Sequence, residues 1–186
     1  MKNHTCSIVV DASIARAAGH TEYPTSKDCR AFLKAINSNK ECRCVFSPDL
    51  NSEWKKHASH LSVTWKAQMV AKKRVLYLAE TNNKPLREAL GRCAQHLAGQ
   101  QQGDLEHKIA SALDKDAHLL EAASEIGKRV ASLDETVRGY FRTCAFKNAN
   151  IAEIAWVNPC FPDEGACDWV DSNAPLDKDR TLGYQP

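Results

Sequence analysis

No apolar run in this chain of 186 residues approaches the about 18 consecutive residues that a membrane-spanning helix requires. The first apolar run opens at Ile8 and is broken by Asp11, too short for the core of a secretory signal. Cys-x-x-Cys is missing as well. The closest cysteine pair is Cys42-x-Cys44, and Cys6, Cys29, Cys93, Cys144, Cys160 and Cys167 are scattered. Zinc sites bring their ligands in closely spaced pairs, so the eight cysteines are expected as reduced, mostly buried thiols. His57-x-x-His60 has no second ligand pair to join. Neither an internal repeat nor a low-complexity tract is present. These absences predict a cytoplasmic, globular protein with no membrane partner.

What the chain does contain is the balance of an ordinary folded domain, 43% hydrophobic and 26% charged. Its net charge of +2 conceals an asymmetry. Residues 1–100 hold 16 of the 25 Lys and Arg but only 8 of the 23 Asp and Glu. Between Glu53 and Glu80 no acid occurs, while Lys55, Lys56, Lys66, Lys72, Lys73 and Arg74 fill the gap. A solvated helix face explains such a run, and so does contact with a polyanion.

Ser7-Ile8-Val9-Val10 reads as a buried parallel strand ending at Asp11, with a short helix from Ala12 stopped by Gly19. Ser26 and Asp28 are expected to cap a helix that buries Cys29, Phe32, Leu33 and Ile36. Arg43 to Phe46 is a second strand, and Ser47-Pro48-Asp49 is a strong helix start. Further helices are expected at about 62–73, 85–98, 104–113, 117–126 and 136–145. Strands are expected at Val75–Leu78, Arg129–Ser132 and Ile151–Val157. Alternation of this kind predicts an α/β fold, an α/β/α sandwich around a central parallel sheet of four or five strands. Four of the seven prolines lie beyond Asn158. Residues 1–158 are therefore read as one domain and 159–186 as a proline-rich tail, either an extended appendage or a docking segment.

Ligands in open parallel sheets bind outside the carboxyl ends of the strands. Asp11 and Asp134 follow strands directly, Asp116 opens the expected helix at 117, and Glu53 lies in the second turn after strand two. Each has a plain structural explanation, Asp11, Asp116 and Asp134 as helix caps and Glu53 as a surface carboxylate. Together they form a pattern. Ile8-Val9-Val10-Asp11-Ala12-Ser13, Ser47 to Trp54, Lys115-Asp116-Ala117-His118-Leu119-Leu120-Glu121-Ala122-Ala123, and Val130-Ala131-Ser132-Leu133-Asp134 resemble, in order, the four acid-bearing segments of PIN-domain ribonucleases. The resemblance covers about residues 7–158, with Asp114 a rival to Asp116 for the third acid and nothing alignable past Asn158.

The resemblance implies a single PIN-like domain and a metal-dependent endoribonuclease, of the kind found as toxins in toxin–antitoxin modules. Asp11, Glu53, Asp116 and Asp134 would be its catalytic, metal-binding acids, with Asp11 and Asp116 central. Hard cations prefer carboxylate and water oxygens, so Mg2+ or Mn2+ is the implied cofactor. Ser13 and Ser132 are the candidate hydroxyls for orienting the carboxylates. Lys55, Lys56, Lys72, Lys73 and Arg74 are the candidate nucleic-acid contacts. Trp54 and Trp65 are candidate base-stacking residues against the commoner reading of aromatic core, and His57 a half-buried structural residue against a phosphate contact. RNA is the implied partner, an antitoxin protein and a homodimer being common in the family. The alternatives are a PIN-like RNA- or protein-binding module without turnover, a flap-type DNA nuclease or related phosphoesterase, and last a zinc or redox protein.

Overall fold

The structure is a computed structural model that describes residues 6–99 and 103–185. Five short strands form one parallel sheet: β1 (Cys6–Val10), β2 (Cys42–Phe46), β3 (Val75–Tyr77), β4 (Arg129–Ala131) and β5 (Ala155–Val157). Their order is β3-β2-β1-β4-β5, with Ile8 opposite Cys44 and Val9 opposite Val130. Every residue of β1, β4 and β5 is buried, as a sheet covered on both faces demands. The α/β sandwich and the parallel sheet expected from the sequence are both present, with five strands.

The helices are α1 (Ala12–Ala17), α2 (Pro24–Ser38), α3 (Pro48–His57), α4 (His60–Ala71), α5 (Lys84–Ala98), α6 (Asp104–Glu125), α7 (Glu135–Ala145), α8 (Ala149–Ala152) and α9 (Ala166–Asp171). The start of α3 is as predicted: Ser47 Oγ accepts from Leu50 N at 3.2 Å, ahead of Pro48 and Asp49. Helix α2 begins earlier than expected, at Pro24, whose fixed φ suits a first helical turn, so neither Ser26 nor Asp28 caps it. Residues Asp104–Glu125 form one long helix in place of two. The charged Asp114-Lys115-Asp116 step holds no glycine or proline, and Asp114 and Lys115 are exposed, so the backbone ladder runs through unbroken. Asp116 thus sits in mid-helix and caps nothing. Gly127, at φ 89°, then turns α6 into β4, and a methyl there would fall 2.4 Å from the Ser7 carbonyl oxygen.

Two expectations fail. The thiols are not all reduced: Cys6 is bonded to Cys42, its register partner across β1 and β2, and Cys93 of α5 is bonded to Cys144 of α7. Cys29, Cys44, Cys160 and Cys167 remain free, and burial raises the Cys44 thiol to about 12, so it behaves as an apolar side chain. The segment beyond Asn158 is not an extended tail. Trp169, Val170, Ala174 and Leu182 are buried in the same core, α9 packs on α2, and Thr181 bridges Ala155 at the edge of β5. Asn39 Nδ2 donates to Val170 O at 2.7 Å, and the Arg129 guanidinium donates to Ala174 O. Its polar and apolar contacts bind it to the amino ends of β2 and β4. Among the described residues, no helix is long and apolar enough to cross a membrane.

Candidate active site

From β1 the chain moves outward to β2 and β3, then returns through α5 and α6 to place β4 on the other side of β1. The order reverses at the β1–β4 pair, where an open parallel sheet leaves a crevice at its carboxyl ends. Asp11 N donates to Ala131 O at 2.9 Å, extending the β1–β4 ladder up to the first acid. A cleft of about 180 Å³ opens there. Asp11, Glu53, Asp116 and Asp134, contributed by four different segments, all line it, together with Ser13, Arg16, His57 and Lys115.

Asp11 occupies the position before α1 but its side chain makes no cap. Its Oδ2 instead accepts from Ser13 Oγ at 2.5 Å and from Ser132 Oγ at 2.6 Å. The two serines, one in the first turn of α1 and one just past β4, therefore orient one carboxylate, and Ser13 Oγ also accepts from Leu133 N at 3.2 Å. Asp134 divides its roles: Oδ1 accepts from Val137 N at 2.9 Å as the cap of α7, while the residue also lines the cleft. Burial raises the Asp116 carboxyl to about 6, with the charges of Asp11 and Asp134 adding and those of Lys115 and His118 opposing. Carboxylates crowded in this way gain from any cation that enters. The rival Asp114 is excluded by placement: it lies outside the cleft, 72% exposed, with Oδ1 2.8 Å from Arg87 Nη1.

His118 was not singled out in the sequence. It is buried beneath the cleft, with Nδ1 2.9 Å from Lys115 O and Nε2 3.5 Å from Glu53 Oε2. Two further residues missed by the sequence reading are Arg16 and Lys115, exposed cations at the cleft without a carboxylate partner among the described residues. Arg16 lies one helical turn past Ser13, and Lys115 adjoins Asp116, so spacing from the motifs could have located both. His57, expected half-buried and structural, is exposed and lines the same cleft.

The basic stretch splits. Lys55 and Lys56 are exposed on the last turn of α3, beside His57. Lys72, Lys73 and Arg74 lie between α4 and the start of β3, at the opposite end of the sheet from the acids. Lys72 Nζ donates to Asn37 Oδ1 at 2.7 Å. Arg74 is 5% exposed, its guanidinium donating to Ile36 O, Asn37 O, Asn39 O and Cys42 O. It closes the carboxyl end of α2 and is no nucleic-acid contact. Arg74→Ala is expected to cost about 2–4 kcal/mol in a denaturant melt, because several buried carbonyls lose their donors. Lys66 is likewise structural, 3.8 Å over the Phe46 ring and bonded to Asn51 Oδ1, with burial lowering it to about 8. Trp54 and Trp65 are buried and stacked on each other at 5.7 Å, out of reach of any base.

Among the described residues, no three His, Cys, Asp or Glu side chains converge closely enough to enclose a metal ion. The donor set nevertheless has a chemistry. Mg2+ keeps several waters and takes one or two carboxylates plus substrate phosphates, so separate carboxylates around a wet cleft fit it better than a closed cage. No protein-family model, no curated protein and no solved structure matches the chain.

Proposed function

We propose that the protein is a metal-dependent endoribonuclease of PIN type. The observation that carries the reading is the meeting of Asp11, Glu53, Asp116 and Asp134 in one cleft at the β1–β4 reversal. The four acids are separated by up to 123 positions, and only Asp134 among them serves as a helix cap. Burial and mutual repulsion raise Asp116, a cost that a divalent ion relieves.

Asp11 and Asp116 would hold Mg2+ or Mn2+ directly, with Glu53 and Asp134 reaching it through water. When bound, the ion orients water, lowers its pKa and neutralises charge on the scissile phosphate. Ser13 and Ser132 fix Asp11 Oδ2, so the carboxylate needs no reorientation. Arg16, Lys115 and His57 hold a phosphate at the rim, and Lys55 and Lys56 extend that positive path along α3. The products of hydrolysis are one strand end bearing the phosphate and one bearing the freed hydroxyl.

The reading is tested by incubating the protein with single-stranded RNA, duplex DNA and flap DNA, each with Mg2+, with Mn2+ and with excess chelator. Cleavage of RNA that chelator abolishes is expected. Preferential cleavage of flap DNA would shift the substrate class, and RNA binding without cleavage would leave a binding module. Contact with an antitoxin or a second copy of the chain is part of the same proposal, tested by the mass of the protein in solution alone and after co-expression with its neighbouring gene product.

A further inference from the structure

Beneath the acid cleft one of the four acids, Glu53, meets a buried histidine that the four-acid scheme does not use. His118 is 2% exposed, and its Nδ1 lies 2.9 Å from the Lys115 carbonyl oxygen. A carbonyl only accepts, so Nδ1 carries the hydrogen, and in the neutral ring Nε2 is left with a lone pair. That Nε2 is buried without a hydrogen-bond partner and faces Glu53 Oε2 at 3.5 Å. Two lone-pair atoms facing each other repel unless a donor hydrogen or a cation lies between them.

A proton on Nε2 is one such species, but a charge-assisted N–H···O contact closes to about 2.7–2.9 Å. Two ligands each about 2.0–2.2 Å from a shared cation stand about 3–3.5 Å apart, which is the spacing present. The Nδ1 contact has the form usual for a ligating histidine, whose other ring nitrogen donates to a backbone carbonyl. Glu53 lines the cleft, so an ion on this pair would meet water and substrate on its open side.

We infer that His118 Nε2 and Glu53 form a mixed nitrogen–oxygen metal position at the inner wall of the cleft, selecting Mn2+ or a later first-row ion over Mg2+. Imidazole nitrogen is a poor ligand for Mg2+ and a good one for the transition ions. The inference rests on the reading that the cleft holds a divalent ion, and it brings Glu53 onto such an ion directly, in place of a bridging water, with His118 Nε2 as the second ligand.

Mn2+ alone, added to the full chain, is the probe. Electron spin-echo spectroscopy of the bound ion is expected to show nitrogen-14 modulation that persists in His57→Gln, the other cleft histidine, and disappears in His118→Gln. Mn2+ affinity is expected to fall about tenfold in His118→Gln. The nitrogen signal of the wild type and of the exposed His57→Gln decides the matter even where His118→Gln melts early. Bound Mn2+ without nitrogen modulation, or a signal lost in His57→Gln, overturns the position while leaving metal-dependent RNA cleavage intact. Absence of Mn2+ binding overturns both.

Discussion

Metal-free Asp116→Asn protein is expected to melt higher than the wild type at pH 7.5 and to match it at pH 4, and with Mn2+ present to cleave RNA about 100-fold or more slowly. The carboxyl stands at about 6 in the fold against an ordinary 3.8, raised first by burial and then by Asp11 and Asp134. Below the ordinary value both folded and unfolded chains hold the proton, and Asp116 contributes nothing to pH dependence. Between the two values only the folded chain keeps it, so stability falls as pH rises through that window. Above about 6 the folded state carries the full cost of the charge. Asparagine removes that cost with nearly the same shape. Asp116 is partly exposed, and after discounting for solvent screening about 1 kcal/mol remains, or about 2–4 °C in Tm for a domain of this size. Addition of Mn2+ is expected to reverse the order, raising the wild-type Tm above that of the variant, with a larger effect at pH 7.5 than at pH 5. Differential scanning calorimetry across pH reads all three signs. A variant that is less stable than the wild type at pH 7.5 without metal would mean that Asp116 serves the fold.

Trp54→Ala is expected to cost about 3–5 kcal/mol in urea unfolding, the largest stability effect of any single change near the cleft. Trp54 is 1% exposed, meets Phe46 edge-on at 5.1 Å and stacks on Trp65 at 5.7 Å. Its Nε1 donates to Val10 O at 2.8 Å, so the same side chain anchors the end of β1 one residue before Asp11. Glu53 precedes it on α3. Trp54 thereby couples the core to two of the four acids. Trp54→Phe separates the roles: most of the packing stays, but the buried Val10 carbonyl loses its donor, at about 1–3 kcal/mol. A loss below about 1 kcal/mol for alanine would show that α3 does not depend on this contact.

Much of the fold could be read in the chain because its signals are local. The β-branched run before Asp11 and the Ser47-Pro48-Asp49 start each specify an element from a few residues, and both stand in the structure. What failed was what depends on distant partners. The Cys6–Cys42 bond follows from register across β1 and β2, which no spacing in the sequence reveals. Arg74 reads as one more cation in a basic run until the fold places four carbonyls around it. The proline-rich composition after Asn158 suggested an extended tail, yet Trp169 and Leu182 supply enough apolar surface to fold it back. The four acids were legible as a pattern. His118 was not, because a buried histidine on a helix gives no sign in sequence of what its Nε2 faces.

Whether these acids carry the reaction is decided by the rate of single-stranded RNA cleavage in Mn2+ for the wild type and Asp11→Asn at equal, saturating protein. Asp11 Oδ2 is held by two serine hydroxyls and its carboxylate lines the cleft, so asparagine preserves shape while removing charge. Wild-type cleavage that chelator stops is expected, with a rate at least about 100-fold lower in the variant. Equal rates in the two proteins would contradict that role for the acids.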